Sequence, residues 1–175
     1  MKWWVPYYSL GLLFMISCTE ICYKEPQPKG VRPLTEIPGK LHGHYLVSDE
    51  NGATDTLIVF NKGYRIGKDD VASLSDSLVL KYYKGYYFIN IRDDVAWYLR
   101  IVKQEKNGDI HYMAMPEATS EYKDGIFKDV LSRDIPVAET EVDGKTRYLI
   151  DPAPKKLLEL IRKGYFQDQT FKKID

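Results

Sequence analysis

Residues that commonly carry catalytic or metal chemistry are scarce in this chain. Its 175 residues include 2 cysteines and 3 histidines, and 25 acidic side chains balance 25 basic ones. Because the net charge is zero, no global field would attract a nucleic acid, and a nucleic-acid partner is not expected. The length is sufficient for one domain with a substantial hydrophobic core.

Short motifs that mark common catalytic and nucleotide-binding sites are also missing. The sequence has no Gly-x-Ser-x-Gly elbow of a serine hydrolase, no phosphate-binding loop and no Gly-x-Gly-x-x-Gly turn. Asp93 and Asp94 follow Arg92 and could form a carboxylate pair, but adjacent side chains at a strand turn point in different directions, so a solvated turn is favoured. The sequence predicts a non-catalytic protein, although catalytic groups can also converge from distant loops.

The pair His42 and His44 is the main candidate for a metal site. The two residues lie on an expected strand, and their spacing would place both imidazoles on one face. A metal would require a further ligand, such as His111 or a carboxylate. A cupin-like set of ligands is disfavoured because Glu50 is badly placed for it. Surface histidines are the favoured interpretation, and no metal or other cofactor is expected.

Alternation of apolar and polar residues over 77–103 is the clearest structural signal in the chain. Tight turns are indicated at Lys84-Gly85 and at Asn107-Gly108, and the latter pair is the one that type I′ geometry prefers. The segment therefore predicts a three-stranded antiparallel meander. Residues 67–76 are expected to form a loop. Further strands are expected at 41–48, 56–60, 64–66 and 110–115 and in a hairpin over 135–150.

Short connections between successive strands are typical of an up-and-down sheet. Such a sheet hides its edges best by curling. The predicted fold class is therefore mainly β (α+β), with an antiparallel sheet that forms a partly open, lipocalin-like barrel. One domain is expected to span residues 39–175.

Two helices are expected near the C-terminus. A short amphipathic helix is indicated at 126–133. The clearer helix has Asp151 as its N-cap and ends at Gly164. Its apolar face consists of Leu157, Leu158, Leu160 and Ile161. We expect this face to pack against the sheet rather than to dock on another protein, because the strand-like segment 170–174 that follows would close the sheet.

An uncharged run over residues 3–17 follows Lys2. The run is too short to span a bilayer as a helix, which takes about 20 apolar residues, but it has the length of a signal-peptide core. Residues 1–17 are therefore interpreted as a signal peptide. Residues 18–38 are rich in proline and lack a hydrophobic period, which predicts an extended tether. Cys22 within this tether is interpreted as an inert thiol rather than as half of an intermolecular disulfide.

The sequence Met15-Ile16-Ser17-Cys18 resembles the lipobox of bacterial lipoproteins. The resemblance implies that Cys18 is diacylated, becomes the mature N-terminus and holds the protein in the cell envelope, since two acyl chains give a stable anchor. The next residue is Thr19 and not the aspartate that retains enterobacterial lipoproteins in the inner membrane, so the resemblance implies the outer membrane. The strand meander and the tail over 152–166 resemble those of small Bacteroidetes lipoproteins of unknown function, a likeness that implies no activity.

Three functions remain open on the sequence alone. The first is a non-catalytic module that presents aromatic side chains to a small apolar ligand, a glycan or another envelope protein. The candidate residues are Tyr82, Tyr86, Phe88, Trp97 and Tyr98. The second is a structural or assembly lipoprotein that docks on an outer-membrane complex, and the third is a hydrolase of envelope polymers. A deep pocket with convergent polar groups would favour ligand binding, whereas an exposed apolar patch would favour docking.

If Cys18 carries the acyl chains, Cys18→Ala should release the protein from the membrane fraction and abolish its labelling by a fatty-acid probe. Cell fractionation and probe labelling measure the two effects. The matched control is Cys22→Ala, which should keep both the label and the membrane association. Membrane association that persists unchanged in Cys18→Ala would contradict the lipid anchor.

Overall fold

The computed structural model describes residues 20–48, 52–68, 70–116, 126–142 and 145–174. Half of the described residues are in strands and 13% are in helices, so the prediction of a mainly β fold is confirmed. The predicted signal peptide and the lipidation site lie outside the described residues. None of the described helices is long and apolar enough to cross a membrane.

Twelve strands make up half of the described chain. They are β1 (Glu20–Tyr23), β2 (Gly43–Ser48), β3 (Thr54–Phe60), β4 (Gly63–Ile66), β5 (Asp70–Ser73), β6 (Leu78–Tyr83), β7 (Tyr86–Arg92), β8 (Trp97–Gln104), β9 (Ile110–Ala114), β10 (Val137–Val142), β11 (Lys145–Ile150) and β12 (Gln167–Lys173). The helices are α1 (Ile126–Ser132) and α2 (Pro154–Arg162), and one 3-10 turn, η1, spans Gly39–Leu41. Two strands were not predicted: β1 lies in the expected tether and β5 in the expected loop.

Nine strands form one curved antiparallel path in the order β6-β7-β8-β9-β12-β2-β3-β4-β5. The C-terminal strand β12 joins the two halves of this path, because it lies between β9 and β2. Within the described chain the end strands β5 and β6 do not pair with each other, so the sheet is open. Strands β10, β11 and β1 add to this sheet beside β8. Strand β1 runs parallel to β11 and antiparallel to β8.

Strands β6 to β8 separate two hydrophobic cores, because successive side chains of a strand point to opposite faces. On one face, Phe88 and Leu99 pack against Leu160 of α2 in a cluster that we term the helix-side core. On the other face, Leu80 lies in a cluster with Phe171 of β12, which we term the concave core. The sheet therefore supports a layer of helices on one side and encloses space on the other.

Both tight turns of the meander form, but only one has type I′ geometry. Lys84 and Gly85, between β6 and β7, have φ angles of 51° and 91°, as this turn type requires. Between β8 and β9, Gly108 has a φ of 95°, whereas Asn107 is not among the described residues with positive φ. The N–H of Gly108 donates to the carbonyl of Glu105 at 3.1 Å. This connection is a longer loop that ends in a glycine, so the expectation of type I′ geometry at Asn107-Gly108 is wrong.

The C-terminal helix packs its apolar face against the sheet, as expected. Leu157 and Leu160 are fully buried in the helix-side core, and Leu158 and Ile161 pack against it. Gly164, with a φ of 78°, follows the last turn as predicted.

The start of this helix differs from the prediction. The N-cap is Ala153, which makes no side-chain cap bond, and Pro154 occupies the first helical position. Asp151 lies too early in the chain to cap the helix. Its carboxylate forms an ion pair with Lys29 of the N-terminal segment instead.

Residues 20–38 pack against the domain, so the prediction of an extended tether is wrong for them. Strand β1 lies between β8 and β11. Cys22 is 1% exposed and Tyr23 is 2% exposed. The burial of Cys22 disfavours an intermolecular disulfide. The folded domain therefore begins no later than Glu20, and not at Gly39.

Two buried polar side chains on β6 and β7 hold the segment that follows β1. The side chain of Asn90 accepts a hydrogen bond from the Gln27 N–H at 2.6 Å and donates to the Gln27 carbonyl at 2.8 Å. The ammonium of Lys81 donates to the carbonyls of Pro26 at 2.6 Å and Pro28 at 3.0 Å. Burial is the main influence on Lys81 and lowers its pKa. These bonds satisfy backbone groups that a proline-rich segment cannot pair in a regular strand.

Further along, the same segment links β6, one end strand of the curved sheet, to the turn between β3 and β4. The Leu34 N–H donates to the Leu80 carbonyl of β6 at 2.8 Å. The Ile37 N–H donates to the carbonyl of Asn61, between β3 and β4, also at 2.8 Å. The N-terminal segment is therefore part of the wall of the concave core.

We predict that Asn90→Ala loosens the N-terminal segment. The change leaves the buried N–H and carbonyl of Gln27 without their side-chain partner, which costs about 1 to 3 kcal/mol. Limited trypsin digestion with mass spectrometry should then show faster cleavage after Lys24 and Lys29 than in the wild type. Asn107→Ala, in an exposed turn, serves as the control and should leave the cleavage pattern unchanged. Equal cleavage of the wild type and Asn90→Ala would contradict this role.

Candidate ligand-binding cavity

The concave core surrounds a cavity of about 320 Å³ that is partly open to solvent. This volume is near the lower limit of small-molecule sites, about 300 to 1,000 Å³. Eight strands contribute side chains to its walls. The aliphatic side chains that line the cavity are Ile37, Leu41, Val47, Leu57, Val59, Ile66, Leu74, Leu78, Leu80, Ile89, Ile91, Val102 and Ile110. The described lining is therefore mainly hydrocarbon.

One end of the cavity is covered by η1. The Lys40 carbonyl accepts a hydrogen bond from Nε2 of Gln104, the last residue of β8, at 2.6 Å. At the end of β12, Nζ of Lys173 donates to the His42 carbonyl at 2.9 Å. These bonds hold the 3-10 turn so that Leu41 lines the cavity. We term this the apolar end.

Polar lining residues lie toward the opposite end of the same strands: Arg100 on β8, Tyr112 on β9 and Gln169 on β12. Tyr112 lies directly opposite Gln169 and diagonal to Arg100 in the sheet. The Tyr112 ring stacks on Phe171, with centroids 5.0 Å apart. Nε2 of Gln169 donates to the Ser48 carbonyl at 2.5 Å. We term Arg100, Tyr112 and Gln169 the polar end.

The described lining residues include one charged side chain. Among the described residues that line the cavity, Arg100 alone carries a formal charge. Its Nη1 donates to the Leu99 carbonyl at 3.2 Å. Burial raises the pKa of Tyr64 on β4, with smaller raising effects from Asp70 and Tyr112, while Arg100 acts in the opposite direction. The Tyr64 hydroxyl therefore keeps its proton at neutral pH and can donate a hydrogen bond.

Beyond the polar end, the Asp93 carboxylate organises the turn between β7 and β8. Oδ1 accepts hydrogen bonds from the Val95 and Ala96 N–H groups at 2.9 and 2.8 Å. Oδ2 accepts from the Tyr98 hydroxyl at 3.1 Å and from Nη1 of Arg147 at 2.7 Å. Burial by itself would raise the pKa of Asp93, but these four bonds hold it below its ordinary value. The carboxylate thus stabilises the turn.

None of the five aromatic residues predicted to bind ligand lines the cavity. Phe88 and Trp97 are buried in the helix-side core, and Tyr86 packs against it. Those three side chains lie on the face of the sheet opposite the cavity. Both faces of these strands are apolar, as in any strand that is covered on two sides, so the sequence does not show which face encloses the cavity.

The two remaining candidates lie on the concave face but outside the cavity. Tyr82 is 45% exposed beyond the apolar end, where its ring contacts Tyr87 at a centroid distance of 4.8 Å. Tyr98 lies beyond the polar end, where its hydroxyl is bonded to Asp93. The structure therefore brings Tyr86, Phe88 and Trp97 together in the helix-side core, but it does not gather all five predicted residues into one site.

The residues that do line the cavity alternate with the predicted ones along the chain. On β7 they are Tyr87, Ile89 and Ile91, and on β8 they are Arg100 and Val102. The register places Ile89 opposite Arg100 and Tyr87 opposite Val102. Arg100 is a charged residue in the same register as a row of apolar residues. This was the one sequence signal that could have indicated the face that lines the cavity.

The histidines do not form the metal site considered from the sequence. His42 follows η1 and its Nε2 bonds to the Ile37 carbonyl at 2.9 Å, so it does not share a strand with His44. Nδ1 of His111 pairs with Asp168 at 2.8 Å. No group of three potential metal ligands occurs among the described residues.

Comparisons with known proteins gave no match to any family model, curated protein or solved structure. The function of the chain is therefore inferred from its sequence and its cavity.

The lowered pKa of Asp93 predicts a pH-dependent contribution to stability. The folded state favours the carboxylate, so the stabilisation is present above the ordinary pKa of 3.8 and is lost as the pH falls below it. We expect Asp93→Asn to lower the melting temperature at neutral pH by several degrees, since hydrogen bonds to charged groups are the stronger ones. Melting curves recorded between about pH 7 and about pH 2 should show the wild type and the variant converging as the pH falls.

The control for this prediction is Asp94→Asn, because Asp94 is the exposed neighbour in the same turn. Its melting temperature should follow that of the wild type at every pH. A difference between the wild type and Asp93→Asn that does not change with pH would show that the charge of Asp93 is not responsible.

Proposed function

We propose that this protein is a non-catalytic binding module of the cell envelope that holds a small apolar ligand in the concave cavity. A lipid on Cys18 would keep it at the outer membrane. The observation that carries the proposal is the cavity itself: a hydrocarbon-lined space covered by η1 at one end, with polar side chains grouped toward the other. This combination of apolar walls and few convergent polar groups is typical of small-molecule sites.

The lining supports an apolar ligand better than a glycan. Burying a hydroxyl without a hydrogen-bond partner is costly, and a glycan carries many hydroxyls. The lining also gives little support to a hydrolase of envelope polymers. Among the described lining residues there is no serine, cysteine, histidine or carboxylate that could act as nucleophile or general base.

Docking on an outer-membrane complex, the main alternative, has less support from the described residues. The exposed large apolar residues among those described lie on separate elements: Leu46, Phe60, Val71, Tyr82, Val95, Val130 and Ile174. A docking surface usually needs a contiguous apolar patch. The apolar face of α2, which could have served, is buried against the sheet.

The proposed anchor would bring the cavity close to the bilayer. Only Thr19 separates Cys18 from Glu20, the first residue of β1. With residues 20–38 packed on the domain, a lipid on Cys18 would hold the folded domain beside the membrane rather than at the end of a tether. Such a position suits a ligand that partitions into lipid.

Fluorescence titration of the purified full chain with N-phenylnaphthylamine, a neutral apolar probe, tests the proposal. The titration is done in detergent-free buffer, because a detergent would compete for the site. The wild type should bind the probe saturably. Ile89→Trp places a larger side chain in the cavity wall and should weaken binding by about tenfold or more, the equivalent of about 1.4 kcal/mol.

Val95→Trp is the matched control, because Val95 is 54% exposed in the turn between β7 and β8. It should bind the probe as the wild type does, and melting curves should show that both variants are folded. Undiminished binding by Ile89→Trp would place the probe outside the cavity. A wild type that binds no probe would contradict the proposed function.

A further inference from the structure

We propose that Leu41 and Ile37 form a fixed floor in the cavity and limit the length of a hydrocarbon chain that enters from the polar end. This inference rests on the proposed ligand-binding function and narrows it to ligands with a linear alkyl chain. Three observations carry it: the lined space runs along the strands, its lining is most buried at the apolar end, and hydrogen bonds hold the backbone of the two residues.

The lined space is elongated in the direction of the strands. Tyr87, Ile89 and Ile91 follow one another on the same face of β7, and all three line the cavity. Tyr87 and Ile91 lie four residues apart, about 13 Å at the usual rise per residue. A cavity of about 320 Å³ that extends over this distance is narrow. An extended alkyl chain suits such a space.

Burial of the lining differs between the two ends of the cavity. On β7, β8, β9 and β12 the lining residue nearer η1 is buried, and these residues are Tyr87, Val102, Ile110 and Phe171. The next lining residue toward the polar end is partly or fully exposed on each of these strands, and these residues are Ile89, Arg100, Tyr112 and Gln169. These walls are therefore closed near η1 and open toward the polar end, so a chain that enters there points toward η1.

The floor at the closed end consists of two aliphatic side chains. Leu41 and Ile37 both line the cavity, and their exposed fractions are 6% and 8%. Leu41 is the last residue of η1. The N–H of Ile37 is bonded to the turn between β3 and β4. A chain that reaches this floor can extend no further unless the two side chains move.

Bonds within the floor segment fix its first half. The Ile37 carbonyl accepts a hydrogen bond from Nε2 of His42 at 2.9 Å. The Pro38 carbonyl accepts from the Leu41 N–H at 2.9 Å, and the Gly39 carbonyl accepts from the His42 N–H at 3.1 Å. The segment is thus folded back on itself around η1.

Side chains of three strands hold the next three carbonyls, those of residues 40–42. The donors are Gln104 of β8, Tyr45 of β2 and Lys173 of β12, at 2.6, 2.9 and 2.9 Å, respectively. Each carbonyl over 37–42 therefore accepts a hydrogen bond. Displacing the segment would leave several of these carbonyls without partners, which is costly. Leu41 consequently stops a chain instead of moving aside for it.

Displacement of bound N-phenylnaphthylamine from the full chain by linear alkanols tests this inference. The compounds are hexanol, octanol, decanol, dodecanol and tetradecanol, which differ only in chain length, and the buffer is free of detergent. Each added methylene should strengthen competition by about fourfold, the equivalent of about 0.8 kcal/mol, until the chain reaches the floor. Longer alkanols should then show no further gain, and the alkanol at which the gain ends defines the length limit.

Two substitutions at Leu41 should move the length limit in opposite directions. Leu41→Ala deepens the cavity and should move the limit to the next longer alkanol of the series. Leu41→Phe fills the end of the cavity and should move the limit to the next shorter one. A general loosening of the fold would weaken the binding of every alkanol and could not shift the limit in both directions.

Further variants keep the test decisive. Ile37→Ala should lengthen the limit as Leu41→Ala does, and it replaces a Leu41 variant that melting curves show to be unfolded. The matched control is Leu46→Ala, since Leu46 is 38% exposed on β2 and does not line the cavity. It should keep the length limit of the wild type.

The outcomes separate this inference from the function on which it rests. A length limit that the alanine variants of the floor lengthen and Leu41→Phe shortens supports the inference. Competition that keeps rising through tetradecanol, or a limit that a folded floor variant leaves unchanged, would overturn it and leave the apolar site in place. If the wild type binds neither the probe nor any alkanol, both proposals fail.

Discussion

Strands β7 and β8 are buried on both faces, and this double burial determines where the other elements lie. Phe88 and Leu99 face the helix-side core, while Tyr87 and Val102 face the concave core. A shift of one residue in register would exchange the two sets of side chains. The register is therefore strongly fixed, and each face requires its own cover. Helix α2 covers one face, and β12, η1 and the N-terminal segment complete the enclosure of the other.

The N-terminal segment depends on that sheet in turn. Its prolines lack N–H groups and cannot complete a strand ladder. Its remaining backbone groups are buried, so they need partners from side chains. Asn90 and Lys81, on adjacent strands, supply them. A proline-rich sequence therefore forms part of a wall here rather than a tether, and a lipid on Cys18, as proposed, would attach to the domain almost directly.

How much of the structure the sequence could predict depends on how far apart in the chain the interacting residues lie. The meander, its turn at Lys84-Gly85 and the buried face of α2 depend on residues close together in the chain, and alternation or helical spacing reveals them. Strand β1 has four residues, too few to show a period, and it pairs with β11, more than a hundred residues away. Its existence is decided by tertiary contacts. The same limit applies to Asn90, whose partner Gln27 is 63 residues distant.

The cavity could not be predicted from the sequence for a different reason. Aromatic size favoured Phe88 and Trp97 as ligand-binding residues, but large aromatic side chains are also the best fillers of a closed core. A pattern of alternation identifies two faces and does not say which one encloses empty space. That depends on how far apart the opposing strands lie, and the distance is set by β12 and the N-terminal segment together.

The cavity also affects the stability of the domain. Protein interiors are normally packed to the density of organic crystals, and apolar surface left in contact with water forgoes about 25 cal/mol per Å². A domain stabilised by about 5 to 15 kcal/mol retains little margin for such a loss. A ligand that binds only the folded state at a hundred times its dissociation constant would add about 2.7 kcal/mol. In the proposed function, an apolar ligand would cover the hydrocarbon walls and so offset this loss.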